Sequence, residues 1–181
     1  MINTLGLALI KEEEGLRLKS YRCGAGVYTI GFGHTSDSFY RVSKNSVITK
    51  EFADELLYHD LDEAEDTIHE QFPDWGLLNE NQYAAIVSFV YNTGSLKLKK
   101  YPYEDRTILT HLKNHDWQKA GDSFLIYTKD INGKHLAGLV KRRKKERELF
   151  LTPVVKPVIA IEPIQTSLLK ELINKIKMFF V

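Results

Sequence analysis

The spacing of apolar residues shifts along this chain, and each shift predicts a different element. The opening run Leu5 to Ile10 is apolar and gives way to Lys11 and three acids, Glu12, Glu13 and Glu14. It reads as an early amphipathic helix, capped by Asn3 or Thr4 and stopped by Gly15. Leu18 to Arg22 and Val27 to Phe32 read instead as two short strands, joined by Cys23-Gly24-Ala25-Gly26. More strand or loop is expected around Phe39 to Ile48. The helical period then returns. Thr49 opens a helix over about Lys50 to Gln71, where Phe52, Leu56, Leu57, Leu61, Ala64 and Ile68 roughly follow helical spacing. Phe72-Pro73-Asp74-Trp75-Gly76 interrupts it. Asn79 and Gln82 stand at capping-box spacing ahead of Ala84 to Tyr91. That stretch is apolar all round, which predicts a central, buried helix, and Gly94 ends it. Further helices fit Asp105 to Lys113, Trp117 to Tyr127 and His135 to Phe150. Pro153, Pro157 and Pro163 punctuate an extended linker, Val154 to Ile164. Leu168, Leu169, Leu172, Ile173, Ile176, Phe179 and Phe180 then form the stripe of a last amphipathic helix. The expected division is a main domain at residues 1–152 and an appendage at 153–181.

Composition narrows the function classes. With 181 residues, the chain can bury a core without disulfides. Its 25 basic and 24 acidic residues leave a net charge of +1, so global charge gives no argument for nucleic acid. A single cysteine, Cys23, excludes an internal disulfide and a multi-cysteine zinc site, and a reducing cytosol is the simplest place of synthesis. The N-terminal apolar run is too short to span a membrane and is wrongly flanked for a secretory signal. Charge is nevertheless uneven. Residues 51–70 carry nine acids and no Lys or Arg, while 129–150 carry eight Lys or Arg against three acids, including KRRKKER at Lys141 to Arg147. Two solvated helix faces on opposite surfaces explain this, and a basic face for an anionic polymer is the functional alternative.

The stretch Glu12 to Thr35, EEEGLRLKSYRCGAGVYTIGFGHT, concentrates the candidate chemistry. Glu14 ends a helix, Cys23 sits at a hairpin turn and Thr29 lies in the returning strand. A hairpin folded back on the helix end brings all three toward one cleft. Hydrolysis of a glycosidic bond needs an acid to protonate the leaving oxygen and a group on the opposite ring face to hold water or attack. Glu14 suits the first role where burial favours its protonated form. Gly31 and Gly33 flank Phe32, where small residues let a polymer approach the backbone. His34 reads as a structural hydrogen-bonding residue, since no second metal ligand stands at a helical or hairpin spacing from it. No metal and no cofactor is expected.

This stretch resembles the active-site region of the phage-type lysozymes, the endolysins of glycoside hydrolase family 24. Their pattern is Glu, eight residues, Asp or Cys, five residues, Thr, and Glu14, Cys23 and Thr29 stand at that spacing. YTIGFGHT at Tyr28 to Thr35, SFVYNTG at Ser88 to Gly94 and GLVKRRKKE at Gly138 to Glu146 follow in the family's order, so the resemblance spans about residues 4–152. It implies Glu14 as general acid and Thr29 as a water-positioning hydroxyl. Cys23 stands where Asp is the alternative, and base, nucleophile and placeholder all remain open for it, as does the inverting or retaining outcome. Gly33, Thr35, Tyr91 and Asn92 would bind the sugar chain. Arg142 would pair with the acid, with Arg143 in that place if the register shifts by one.

The implied fold is α+β and mostly helical. A small lobe would hold the N-terminal helix and a β-hairpin sheet, a helical lobe would sit beside it, and the long acidic helix would link them. The implied function is a muramidase that cuts the β-1,4 bond between N-acetylmuramic acid and N-acetylglucosamine of bacterial peptidoglycan during host lysis. It would accumulate in the host cytoplasm and reach the wall once a holin permeabilises the inner membrane. The alternatives are a catalytically inactive peptidoglycan-binding protein of the same fold, a chitinase-like hydrolase and a membrane-disrupting protein driven by the tail. For the tail itself, docking on the main domain, contact with membrane or outer-envelope lipid and self-association remain open. A monomer is expected.

Overall fold

The computed structural model describes residues 1–24, 26–96, 107–129 and 133–154. The linker beyond Val154 and the last amphipathic helix lie outside these residues. Helix α1 (Thr4–Glu14) begins at Asn3, whose side chain accepts from the Gly6 amide at 2.9 Å. It ends where Gly15 takes a φ of 67°, a conformation that favours glycine. Strands β1 (Arg17–Arg22), β2 (Tyr28–Gly31) and β3 (His34–Thr35) form one antiparallel sheet in the order β1-β2-β3. Arg22 faces Tyr28 and Tyr21 faces Thr29 across the hairpin, and Thr29 faces Thr35 on the far side. The segment around Phe39 to Ile48 is mostly loop, although Val47 bridges Lys19 at the free edge of β1.

Helix α2 (Lys50–Gln71) has the expected bounds, with the Thr49 hydroxyl accepting from the Phe52 amide. Its apolar side, Leu56, Leu57, Leu61 and Ile68, is buried almost completely. A 3-10 turn at Pro73–Leu77 leads to α3 (Glu80–Thr93), which opens with the complete Asn79/Gln82 capping box and closes at left-handed Gly94. Residues 81–90 of α3 are buried without a break, so this helix is the centre of the fold. Helices α4 (Ile108–Lys113), α5 (Trp117–Ser123) and α6 (Ala137–Leu151) complete the helical part, with α6 lying along α3. The helix expected over Trp117 to Tyr127 tightens into a 3-10 turn at Phe124–Ile126.

The structure moves α1 out of the small lobe. It packs chiefly on α3 and α6, and meets the sheet only near its C-terminal end, where Lys11 lies over Phe32 and Glu14 faces Gly33. Gly6 makes this possible: a Cβ there would lie 2.6 Å from the Ala84 Cβ and 2.9 Å from Ile2. The sheet instead leans on α2, where Gly31 faces Ala53 and Ile48.

Gly6→Ala tests the close approach of α1 to α3. Alanine gains up to about 1 kcal/mol of helix propensity. Overpacking against Ala84, whose Cβ cannot swing away, costs about 1–3 kcal/mol. We expect a net loss of stability, read as a lower urea midpoint. A raised midpoint would mean the helices part freely.

Candidate active site

Glu14 is the last residue of α1, and its carboxylate is held from α6. Arg142 Nη1 donates to Glu14 Oε1 at 2.5 Å. The arginine is buried and the glutamate one-fifth exposed. Arg142, not Arg143, therefore pairs with the acid. This corrects the picture of KRRKKER as a solvated face: Arg142, Arg143 and Glu146 all point into the core, because they share one side of α6. Burial opposes the charge of Arg142, but Glu14 and Glu146 outweigh it and raise its pKa. Lys145 covers the outer side, at 2.7 Å from Glu12 and 2.6 Å from Glu13.

Two recesses lie near Glu14. One, of about 380 Å³, is lined by Glu13, Glu14, Asn92, Leu136, Gly138, Leu139 and Arg142. The other, of about 300 Å³, includes Gly33, Thr35, Asp60, Tyr91 and Gly94. Gly33 lines the second and comes close to the acid, since a Cβ on it would lie 3.2 Å from Glu14 Oε2, and its φ of 104° suits glycine alone. Tyr91 donates from its hydroxyl to the Phe32 carbonyl at 2.8 Å, and burial raises its pKa strongly. Asn92 faces the first recess with its carbonyl oxygen already accepting from Arg143 Nη2, which leaves the amide N–H groups for a ligand. Thr35 is exposed and lines the second.

Cys23 sits at the hairpin turn, its amide donating to the Val27 carbonyl at 2.9 Å. Thr29 is 3% exposed, and its hydroxyl donates to that same carbonyl at 3.2 Å. What Thr29 can offer an incoming water is thus a lone pair. Tyr21 lies near this group. It stands opposite Thr29, so both side chains leave one face of the hairpin. Burial raises the pKa of its phenol against the pull of Arg17, and the charges of Glu14 and Cys23 raise it further. Sequence reasoning passed over Tyr21, Ser88, Asp60 and Glu146. Ser88 was the available signal, as the one aliphatic hydroxyl in the apolar stretch of α3.

His34 is 2% exposed and serves as a structural hydrogen-bonding residue. Its Nδ1 is 2.8 Å from Asp60 and its Nε2 3.4 Å from the Tyr40 carbonyl. Both nitrogens face acceptors, which favours the doubly protonated ring. Burial lowers the pKa, but Asp60 chiefly reverses that, and the net shift is upward. The sequence reading found no second ligand near this histidine. In three dimensions His34, Asp37 and Asp60 place ligand atoms within 4.8 Å of one another, as do Asp37, His59 and Glu63. Hydrogen bonds and ion pairs among these groups account for their geometry.

Comparison with known proteins agrees with this geometry. The family model for phage lysozyme matches residues 11–146. An endolysin of Acyrthosiphon pisum secondary endosymbiont phage 1 is 38% identical over 152 residues, covering 82% of this chain and 97% of that protein. An endolysin of Salmonella phage P22 is 39% identical over 158 residues, covering 83% and 98%. Among solved structures, the active form of the P1 phage endolysin Lyz superposes with a TM-score of 0.73 at 29% identity, over 86% of this chain and 88% of that one.

The His34–Asp60 pair gives a pH signature. Because His34 titrates above its ordinary value of 6.5 in the folded chain, the pair stabilises fully below that pH and fades as pH rises through the folded value. Asp60→Asn should therefore cost roughly 1–3 kcal/mol at pH 5.5 and distinctly less at pH 9, measured by urea unfolding. An equal loss at both would exclude the ion pair as its source.

Proposed function

This chain belongs to the phage lysozyme family, and on that footing we propose that it is an endolysin. It hydrolyses the β-1,4 bond between N-acetylmuramic acid and N-acetylglucosamine in bacterial peptidoglycan. The observation that carries the reading is a carboxyl group that lines one recess, with the glycine of a second recess in front of it and an arginine behind it. A sugar chain occupying both recesses lays a glycosidic oxygen against Glu14.

Glu14 donates the proton that lets this oxygen leave, and positive charge develops on the sugar ring. Arg142 favours the charged form of the acid, while the arriving sugar displaces water and favours the protonated one. The water side of the reaction falls to Cys23 and Thr29, with Thr29 accepting a hydrogen bond from the incoming molecule. Tyr91 and Asn92 border one recess each and hold the chain in register, and Gly33 and Thr35 let it lie close to the sheet. No helix among the described residues is long and apolar enough to cross a membrane. We assign the route to the wall to permeabilisation of the inner membrane, with the enzyme held in the host cytoplasm until a holin acts.

Turbidity loss of a peptidoglycan suspension tests the assignment. Glu14→Gln should slow clearing by about 100-fold or more, the usual scale of a lost general acid, in a protein that still folds but melts lower because Arg142 keeps only Glu146 as a charged partner. Equal rates for wild type and variant would leave only peptidoglycan binding.

A further inference from the structure

Behind Glu14 and Arg142 lies a second layer of charge. Glu146 stands one turn beyond Arg142 on α6, fully buried. Its Oε1 accepts from Arg142 Nε at 3.0 Å and from Ser88 Oγ at 2.9 Å, and its Oε2 is 3.1 Å from Arg143 Nε. Arg142 is thus held at three points: by Glu146, by the Ser88 carbonyl at 3.0 Å and by Glu14. Arg143 continues inward, over the Phe89 ring at 4.8 Å. From cleft to core the charges alternate as Glu14, Arg142, Glu146 and Arg143, and they sum to zero.

Burial raises the pKa of Glu146, and the two guanidiniums offset that only in part. Its protonation would leave two buried cations to share Glu14 alone. An uncompensated buried charge is costly, so Glu146 stays ionised.

We infer that Glu146 is a positioning residue for the hydrolysis: it fixes Arg142 behind Glu14 and offsets the arginine charge that would otherwise hold Glu14 ionised. This rests on Glu14 being the general acid. The other groups facing Glu14 do not supply that offset. Tyr21 on β1 and Tyr91 on α3 are neutral phenols whose pKa values are raised. Cys23 follows Tyr21 by two residues at the hairpin turn, and Glu12 and Glu13 on α1 are paired with Lys145 and, for Glu12, Lys141.

Glu146→Gln keeps the shape and an acceptor but removes the charge. The readouts are the pH–rate profile of peptidoglycan clearing and the titration of the 13C-labelled Glu14 carboxyl in resting protein. The Glu14 midpoint and the base-side limb should both fall by about one pH unit, with activity near neutral pH down about tenfold. Arg143→Gln removes the opposite charge and should move both upward, while Glu146→Asp should restore the wild-type midpoint. A purely structural role predicts lower stability with an unmoved midpoint. A wild-type Glu14 midpoint in both glutamine variants overturns the inference. If Glu146→Gln does not fold, the direction of the Arg143→Gln shift decides alone. A wild type that clears no peptidoglycan would instead refute the lysozyme reading, and the carboxyl titration would still test Glu146.

Discussion

One guanidinium joins the two ends of the domain. Arg142 lies 128 residues from Glu14 in sequence, yet the two side chains share a hydrogen bond of 2.5 Å. A cation this buried must be paired, and Glu14 and Glu146 are the carboxylates that reach it. The place of Glu14 is therefore set less by its own helix than by the packing of α6 along α3. Gly6 extends the same constraint to α1, because only a residue without a side chain lets that helix sit on Ala84.

The sheet reaches the cleft by directional contacts of another kind. Tyr91 on α3 donates to the Phe32 carbonyl, and Asp60 on α2 holds His34. Both contacts fall within the segment Gly31 to Thr35, so the strand end carrying Gly33 is pinned to two helices at once. Polar groups in such a place do what an apolar contact cannot: they fix orientation as well as distance. The recess between these elements thereby has a defined floor beside Glu14, with the hairpin bearing Cys23 and Thr29 alongside.

Much of the fold was legible because its signals are local. Thr49 and Pro73 bracket α2, Asn79 and Gln82 open α3, and Gly15 and Gly94 close their helices by backbone conformations that favour glycine. The spacing of Glu14, Cys23 and Thr29 singled out the hairpin before any geometry was known. Less was visible where an element is too short to show a period. Strand β3 has two residues, and the 3-10 turn at Phe124–Ile126 merges in sequence with the helix before it.

The amino-acid order by itself determined the bounds of α2, the central buried helix and the residues around which a cleft forms, since caps, glycines and apolar periods act within a few residues of themselves. Tertiary structure alone decided that α1 belongs with the helices, that Arg142 rather than Arg143 meets the acid, and that Glu146 stands behind both. In KRRKKER every residue but one is a cation, so composition cannot say which turn inward. That depends on which side of α6 meets α3, and only packing of segments far apart in sequence fixes it.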